Sequence, residues 1–523
     1  MNELVWFKRD LRVRDHEALA RASEAAQQSG GGLICLFVYE TEWLRAPETD
    51  GSHVRFVNES LRDLDEALRR YGGRLVTRVG HMIDVLRSIR GGIGFARLWS
   101  HEETGSDWTF QRDRRVADWC RAEGVRWVEV PQNGVIRRLR SRDGWSAEWE
   151  RRMQGSPEEV RRIDSSVVEG WSAGIVSEAE LGVSIATKEC QVGGERMAWR
   201  TLESFLMERG VDYRRGMSSP LTGGVACSRL SPYLAWGCIS LRAVTSATDE
   251  RLATLREERG AGVLVDPRWL GSLRSFGARL RWHCHFMQKL EDEPSLEFEN
   301  LHRGYDGLRD EMTRSEEGRR RFSLWTEGRT GYPMIDACIR SCLATGWLNF
   351  RMRAMVASFA AYHLWLHWRQ PAVFLARHFL DFEAGIHFPQ FQMQSGTTGI
   401  NTLRIYSPAK QARDQDPEGM FIRRWVPELE GVPLEYLAEP HLMSEGMQAR
   451  SGCKIGSDYP FPVVDHRRAY VEAKGRFSVL RRSESVREEA RAVYDRHGSR
   501  KQPIRPEFGG RRSGAQMELS LGE

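Results

Sequence analysis

Lysine is scarce in this chain: of the 77 lysine and arginine residues among 523, only seven are lysine. Because 72 acidic residues balance most of the positive charge, the net charge is +5, and charge alone does not indicate binding to nucleic acid. The arginine guanidinium does suit planar anions better than a lysine ammonium. The composition is therefore compatible with a partner that carries phosphate but does not require one.

Long apolar segments are also missing. No run of about 20 apolar residues occurs, and the N-terminal MNELVWFKRD lacks the apolar stretch of a secretory signal. The nine cysteines are odd in number and form no C-x-x-C pair, which is typical of reduced thiols in the cytoplasm. Cys338 and Cys342 are predicted to be small buried core residues rather than metal ligands. We therefore expect a cytoplasmic protein without a membrane span or a metal.

Five short apolar runs alternate with helical patterns over residues 1–134. The runs are NELVWF, GLICLFVY, RLVTRV, FARLWS and RWVEV, and helices are predicted between them at residues 15–28, 54–71, 82–90 and 113–123. This alternation predicts an α/β domain with a doubly wound, five-stranded parallel sheet. No glycine-rich turn follows the first strand, so the common dinucleotide-binding fingerprint is absent. The acidic SHEETGSDWTF after the fourth strand is interpreted as a solvated loop, although a ligand could also sit there.

Three further parts are predicted in the rest of the chain. Residues 135–195 are polar, arginine-rich and poorly periodic, which indicates an inter-domain linker over the surface. Residues 196–485 are helical in pattern almost throughout and predict a large all-α domain. Residues 486–523 are rich in glycine, arginine and proline and are predicted to form a disordered basic tail.

Two arginines, Arg351 and Arg353, lie in the apolar, helix-forming segment TGWLNFRMRAMVASF. An arginine on an apolar face is costly to bury unless an anion meets it. Asp381 is the natural bidentate partner for Arg353, and an ion pair that merely joins two helices is the plainer alternative. Glu383 and His387 follow at i and i+4, a spacing that suits polar contacts to one ligand.

A second candidate anion site lies in the segment ACSRLSPYLAWGCIS. Ser228, Arg229 and Ser231 stand before a helical run, where hydroxyls and free backbone N–H groups can form a phosphate cradle. Simple N-capping accounts for the same residues equally well. Together the two sites favour a two-ended ligand, with phosphates near residues 227–231 and a polar ring near residues 353–387.

Four long stretches resemble the photolyase/cryptochrome flavoproteins: LVWFKRDLRVRDHEAL, SRLSPYLAWGCIS, TGYPMIDACIRSCLATGWLNFRMR and RIYSPAKQARDQDPEGMFIRRWVPEL. The resemblance runs in order over roughly residues 2–480. It implies FAD in the helical domain, bent so that adenine and isoalloxazine lie close together. It also leaves open an antenna chromophore of folate or deazaflavin type in the α/β domain.

The resemblance also implies the residues that hold FAD. They are Tyr213, Cys227, Ser228, Leu230, Ser231, Arg353, Asp381, Glu383 and His387. Cys227 replaces the usual threonine of the phosphate segment, and Glu383 is longer than the usual aspartate at the ring edge. The position that faces flavin N5, usually asparagine in repair enzymes, is His387. That histidine can exchange a proton as the flavin changes redox state, or it can simply pack as a hydrogen-bonded residue.

The substrate cavity implied by the resemblance departs from the family pattern. Trp282 matches the tryptophan that lines it, but Arg279 stands where enzymes that repair pyrimidine dimers have a glutamate. Phe350 and Ala354 replace the cavity asparagine and methionine, and the histidine pair typical of 6-4 photoproduct enzymes is missing there. Met393 replaces the second cavity tryptophan.

The tryptophan relay that reduces the flavin in this family is also incomplete. Only Trp368 has an obvious match, and Phe391 stands where the flavin-proximal tryptophan is expected. Trp365 or Tyr362 could serve instead. The closely spaced cysteine ligands of the iron–sulfur branch are missing, so no metal cluster is expected.

Two functions follow from the resemblance. The first is a DNA photolyase, in which blue light excites reduced FAD, an electron passes to a pyrimidine photoproduct in UV-damaged DNA, the lesion splits and the electron returns. Its catalytic residues would be Trp282, Arg279, His387 and Trp368. The second is a cryptochrome-type photoreceptor without repair activity, which the altered cavity and the basic tail support. We favour the photolyase because the cavity keeps a tryptophan that can stack on a flipped lesion.

Contacts to DNA are expected from Trp282, Arg351, Arg404, Arg423 and Arg424. Phosphate contacts of this kind weaken as salt rises. Arg404, Arg423 and Arg424 could equally be solvated surface residues. The protein is expected to act as a monomer.

Overall fold

A computed structural model of the chain describes residues 1–155 and 159–498. The strands of its sheet are β1 Glu3–Phe7, β2 Leu33–Glu40, β3 Leu75–Gly80, β4 Arg97–His101 and β5 Arg126–Val130. All five are parallel, in the order β3-β2-β1-β4-β5. In register, Glu3 of β1 faces Leu33 of β2 on one side and Arg97 of β4 on the other. The predicted doubly wound parallel sheet is confirmed.

Helices cover both faces of this sheet, namely α1 Glu17–Ser29, α2 Gly51–Arg69, α3 Met82–Gly92 and α4 Asp107–Ala122, with a short helix Thr41–Arg45. Strands β1 and β2 are buried along their whole length, as expected when helices pack on both sides. Helix α4 begins at Asp107 rather than at residue 113, because Thr109 and Arg112 extend its buried face toward the N-terminus. Glu103, interpreted as part of a solvated loop, instead has a side chain that is only 7% exposed and accepts a 2.6 Å hydrogen bond from Arg112.

The rest of the described chain is helical. The longer helices are α5 Trp145–Met153, α6 Glu195–Met207, α7 Leu241–Gly260, α8 Arg268–Asp292, α9 Glu316–Thr326, α10 Pro333–Thr345, α11 Phe350–Ser358, α12 Arg369–His378, α13 Ala384–Ser395, α14 Pro408–Gln415, α15 His466–Leu480 and α16 Glu484–His497. Shorter α-helices are Tyr213–Gly216, Pro220–Ala226, Ser231–Ala235, Asp310–Arg314, Met420–Trp425, Leu434–Leu437 and Glu445–Ser451, and α11 runs on into a π-helical turn, Phe359–His363. This confirms the all-α second part.

Two predictions about the connecting segments need correction. The linker is not wholly irregular, because α5 lies within it and Lys188 is buried against Asp50, at 2.7 Å. The predicted disordered tail starts too early, because residues 486–497 belong to α16, where Val486, Val493 and His497 are buried. The remainder of that tail, residues 499–523, lies outside the described residues.

The α/β part and the helical part share an apolar core. Trp43 packs edge-on against Trp236 with ring centres 5.5 Å apart. Arg9, just after β1, reaches across and donates to the carbonyl of Phe382 at 3.2 Å. The α/β part therefore helps to fix the position of residues 381–383 in the helical part.

Cys338 and Cys342 are both buried within the core of the helical part, as predicted. Within residues 1–155 and 159–498, no helix has the length and apolar character needed to cross a membrane.

Candidate functional site

A cavity of about 280 Å³ opens between α8, α11, α13 and the segment 227–231. Its described lining includes Tyr213, Cys227, Ser228, Ser231, Arg279, Trp282, His283, Phe286, Phe350, Arg351, Ile386 and Gln390. A smaller pocket of about 40 Å³ adjoins it and shares Phe350, Ile386 and Gln390. We call the two together the central cavity.

Gly385 allows the two long helices of this cavity to approach each other. A side-chain carbon at this position would lie 2.6 Å from the sulfur of Met287 and 2.9 Å from its Cα atom. The backbone of α8 cannot shift as a flexible side chain can, so any larger residue would push α13 away from α8. This close approach fixes the positions of His283 on α8 and Glu383 at the start of α13.

The predicted pair of Arg353 and Asp381 is present in the smaller pocket. Arg353 donates two hydrogen bonds to the carboxylate, of 3.0 and 2.8 Å, and a third of 2.7 Å to the carbonyl of Leu348. Its guanidinium also lies 4.0 Å from the ring centre of Phe379. Burial opposes ionisation of Asp381, but the Arg353 charge and the hydrogen bonds lower its pKa below the ordinary value. The pocket thus holds a fixed carboxylate with its charge compensated.

Glu383 and His387, whose spacing predicts polar contacts to one ligand, both line the smaller pocket, where their side chains have different hydrogen-bond partners. Glu383 stands at the N-cap of α13 and its carboxylate is 2.9 Å from Nε2 of His283. Burial lowers the pKa of His283, yet the Glu383 charge dominates with the help of Cys284 and raises it to about 10. His283 was not predicted as a site residue. The sequence feature that could have indicated it is its position next to Trp282 in the helical segment RWHCHF.

His387 points its Nε2 at the carbonyl of Ala372, 2.8 Å away. A carbonyl only accepts hydrogen bonds, so we assign the proton to Nε2, which leaves Nδ1 as an acceptor. Burial lowers the pKa of His387 to about 4, and the carbonyl offsets this only in part. The Phe391 ring lies 4.7 Å from the imidazole, centre to centre. This histidine is neutral at physiological pH, and packing and hydrogen bonding account for its position.

The segment 227–231 forms another part of the wall of the central cavity, with Ser231 within hydrogen-bonding reach of Asp381. Arg229 adopts a left-handed backbone conformation with φ of +62°, and its guanidinium stacks 3.8 Å from the ring centre of Trp347. The N-cap position of the following helix is taken by the buried Leu230, and no side chain caps that helix. The Ser228 hydroxyl accepts a long hydrogen bond of 3.4 Å from the amide of Leu230, and the Ser228 carbonyl accepts one of 3.0 Å from Arg209. N-capping therefore does not explain both serines, which line the cavity.

Polar and aromatic groups meet on the remaining wall of the central cavity. The Arg279 guanidinium lies 5.3 Å from the ring centre of Trp282, and both residues line the cavity. Tyr213 is buried there against the edges of Phe205 and Phe276. The Nε atom of Arg351 is buried and meets no hydrogen-bond acceptor among the described residues. An acceptor supplied by a ligand would satisfy it.

Trp368 and the surface arginines lie farther out. Trp368 is buried behind α13, where its Nε1 donates to Asn300 at 2.8 Å and its ring is 6.3 Å from that of Phe388. Arg404 lines a second cavity beside Trp282. Arg423 donates to the carbonyls of Glu418 and Val432, at 2.9 and 3.0 Å, while Arg424 is exposed. Trp368 is not among the described residues that line the central cavity.

Two family models match the chain. One is described as the FAD binding domain of DNA photolyase and matches residues 276–479; the other is described as DNA photolyase and matches residues 3–142. Together they span roughly two thirds of the sequence.

Similar proteins carry both kinds of name. A deoxyribodipyrimidine photo-lyase of Alkalihalophilus pseudofirmus is 25% identical, over 88% of this chain and 95% of that protein. A cryptochrome DASH of Gloeobacter violaceus is 28% identical, over 88% of this chain and 93% of that protein. Among solved structures, a class III photolyase from Agrobacterium tumefaciens superposes with a TM-score of 0.76 at 24% identity, over 92% of this chain and 98% of that one. The last comparison concerns the fold alone.

Proposed function

The chain belongs to the photolyase/cryptochrome family of FAD-binding proteins, and from this premise we propose that it repairs UV-induced pyrimidine photoproducts in DNA under blue light. The observation that carries this proposal is the position of Trp282. Its side chain lines the central cavity and also a second cavity that opens beside it. An aromatic ring at this position can stack on a base that has been flipped out of the duplex.

The central cavity fits FAD on its own chemistry. Its wall is mainly apolar, its polar groups include two serine hydroxyls and the Arg353–Asp381 pair, and the orphaned Nε of Arg351 calls for an acceptor. We propose that Tyr213, Cys227, Ser228, Leu230 and Ser231 hold the phosphate end, and that Arg353, Asp381, Glu383 and His387 surround the ring end. When bound and reduced, FAD supplies the light-driven electron transfer to the lesion.

The residues of the chain prepare the site for this chemistry. The cationic His283, paired with Glu383, and the cationic Arg353, paired with Asp381, leave the ring end with balanced charges. The neutral His387 presents an acceptor nitrogen because Ala372 fixes its proton on Nε2. Apolar neighbours such as Phe379 and Phe391 exclude water from this end, which strengthens the polar contacts within it.

Arg279 is the unusual residue on the substrate side of the cavity. It stands over the Trp282 ring and carries a positive charge where a carboxylate would accept hydrogen bonds. A guanidinium donates only, so it can hold the carbonyl oxygens of a pyrimidine and can offset negative charge that develops there. We propose that Arg279 and Trp282 hold the lesion together, one by hydrogen bonds and the other by stacking.

A photoreceptor without repair activity is the alternative, and the same Arg279 supports it, because the acid expected in a dimer-repair cavity is missing. Expression in a photolyase-deficient bacterial strain separates the two functions. After UV irradiation, we expect cells with the wild-type protein to survive better in blue light than in the dark. Cells with Trp282→Ala should lose most of this difference. Equal survival in light and dark, from cells that contain the flavin-loaded protein, would favour the photoreceptor.

A further inference from the structure

Arg209 follows α6 and is bound to the segment 227–231, although it is not among the described residues that line the central cavity. All five N–H donors of its guanidinium are used. Its Nε donates to the hydroxyl of Ser204 in α6 at 3.0 Å. The other four donate to backbone carbonyls, namely those of Val225 at 2.7 Å, Cys227 at 2.6 Å, Ser228 at 3.0 Å and Thr201 at 3.1 Å. One side chain therefore joins this part of the backbone to α6.

The charge of Arg209 acts on the segment without contact to the cavity. Each of its five hydrogen bonds goes to an uncharged oxygen rather than to a carboxylate. Carbonyl oxygens carry partial negative charge, so they would repel a phosphate if they faced it. Arg209 binds these oxygens and adds a positive charge beside them. The segment therefore becomes more favourable for an anion.

Arg209 also decides which way two backbone amides point. The peptide bonds of the described chain are trans, so the C=O and the N–H of one peptide point in opposite directions. The carbonyls of Cys227 and Ser228 point at Arg209. The amides of Ser228 and Arg229 belong to the same two peptides and therefore point away from it. Neither amide has an acceptor among the described residues, so both are available to a ligand.

The backbone at Arg229 and Leu230 has the shape of an anion-binding nest. Arg229 is left-handed, with φ of +62°, and Leu230 is right-handed, with φ of −87° and ψ of −10°. Successive N–H groups of such a pair converge on one side, where they bind anions. A residue other than glycine keeps a positive φ only when its surroundings hold it. Here Arg209 holds the carbonyl of Ser228 at 3.0 Å, and the side-chain amide of Gln191 holds that of Arg229 at 2.9 Å.

We propose that Arg209 is a positioning residue for the phosphates of the cofactor. It holds the carbonyls of Cys227 and Ser228 away from the ligand, so that the backbone amides of Ser228 and Arg229 are presented to a phosphate. The proposal rests on the proposed FAD site, in which the segment 227–231 holds the phosphate end. It adds that backbone N–H groups, and not the serine hydroxyls alone, make that contact.

The test is an exchange of flavins on the full-length, FAD-loaded protein in the dark. Riboflavin, which carries the ring but no phosphate, is added at several ratios to FAD, and the flavins that remain bound are measured by chromatography. We expect the wild type to prefer FAD strongly. Arg209→Lys should reduce this preference roughly tenfold, because lysine keeps the charge but cannot hold four carbonyls.

Arg152→Lys is the matched control for this exchange. Arg152 is also half-buried and donates to two backbone carbonyls, those of Asn133 and Val135, at 3.2 and 2.7 Å. It does not belong to the described lining of the central cavity. Its variant should therefore keep the preference of the wild type.

Two variants of Arg229 test the same backbone without changing Arg209. Arg229→Gly and Arg229→Val both remove the guanidinium that stacks on Trp347, but only glycine adopts a φ of +62° without strain. Valine opposes the left-handed turn that shapes the nest. We therefore expect Arg229→Val to lose roughly fivefold more of the preference for FAD than Arg229→Gly.

The outcomes separate this proposal from the site on which it rests. If Arg209→Lys weakened FAD and riboflavin to the same degree, the preference would be unchanged, and Arg209 would serve general packing only. That result would overturn the proposal, and so would equal preferences in Arg229→Gly and Arg229→Val. A wild type that bound riboflavin as tightly as FAD would contradict the phosphate end of the site itself, and the proposal with it. Neither light nor DNA is used, so the result does not depend on repair activity.

Discussion

Arg353 and Asp381 form a bidentate ion pair, with hydrogen bonds of 3.0 and 2.8 Å, although they lie 28 positions apart in the sequence. The pair joins α11 to the loop before α13 at the ring end of the central cavity. A pair that only joined two helices would serve stability alone. A pair that also contacts FAD must affect cofactor content, and the two roles can be measured separately.

Asp381→Asn is expected to purify with much less FAD. The substitution removes the charge-assisted pairing while keeping the size of the side chain, and hydrogen bonds to charged groups contribute roughly 1.5–3 kcal/mol, or about ten- to hundredfold in affinity. Flavin absorbance relative to protein absorbance gives the stoichiometry. Arg340→Ala is the matched control, because Arg340 pairs with Glu428 at 2.8 Å outside the cavity and is as exposed as Arg353. A full flavin complement in Asp381→Asn would remove this pair from the proposed FAD site.

Trp282→Ala is expected to weaken binding to UV-damaged duplex DNA more than binding to undamaged duplex. Stacking of a base on an aromatic ring contributes roughly 1–3 kcal/mol, and only a flipped lesion would gain it. Fluorescence anisotropy on both duplexes measures the ratio. Trp171→Ala is the control, since Trp171 is also half-buried but lies in the linker. An equal loss on both duplexes would assign Trp282 to general packing.

Arg404→Ala is expected to weaken binding to damaged and undamaged DNA alike. It should also reduce the slope of log binding constant against log salt concentration by about one. Arg423→Ala should leave this slope unchanged, because the Arg423 guanidinium already donates hydrogen bonds to the carbonyls of Glu418 and Val432. Binding constants over a series of salt concentrations test both variants. If Arg423→Ala reduced the slope and Arg404→Ala did not, the proposed DNA surface would be misplaced.

His387 is expected to destabilise the fold as the pH falls. Burial lowers its folded pKa to about 4, so between about pH 6.5 and pH 4 the unfolded chain binds a proton that the folded chain does not. Stability should therefore drop by roughly 1.4 kcal/mol per pH unit in this window, and the contribution is absent above it. Urea unfolding at pH 7 and pH 5 should show a smaller loss for His387→Asn than for the wild type. An identical loss would mean that His387 is not buried in its neutral form.

His283 is expected to show the opposite sign. Its folded pKa is raised to about 10 by Glu383 against the effect of burial. The stability gained from its charge is full below about pH 6.5 and is lost as the pH rises toward 10. Glu383→Gln should therefore lose less stability than the wild type between pH 7 and pH 9, in the same urea assay. A steeper loss in the variant would contradict the charged pair.

The strands, the main helices and the Arg353–Asp381 pair could be predicted because each leaves a local mark. Buried parallel strands are continuous apolar runs, and an arginine in an apolar helix requires an acid. The hydrogen-bond partner of Glu383 left no local mark in the sequence, because Glu383 is the N-cap of α13 and its carboxylate turns to another helix. That partner, His283, lies 100 positions away in the sequence and is brought next to Glu383 by the packing of α8 against α13 at Gly385.

The tail and the buried Lys289 show a different limit. Composition over residues 486–523 concealed the helical pattern of α16, because glycine, proline and arginine later in the segment dominate the average. Lys289 carried no signal at all, since its burial depends on α5, α16 and residues 393–404 meeting around it. Contacts between distant segments of this kind are not encoded in local periodicity.

The most direct test of the account is light-dependent repair by the purified, photoreduced protein. One oligonucleotide carries a cyclobutane dimer and a second carries a 6-4 photoproduct, and each is incubated in blue light and in the dark before chromatographic analysis. The account predicts that one of the two lesions is restored to intact pyrimidines in blue light only. Failure to restore either lesion, from protein that holds FAD and undergoes photoreduction, would contradict it.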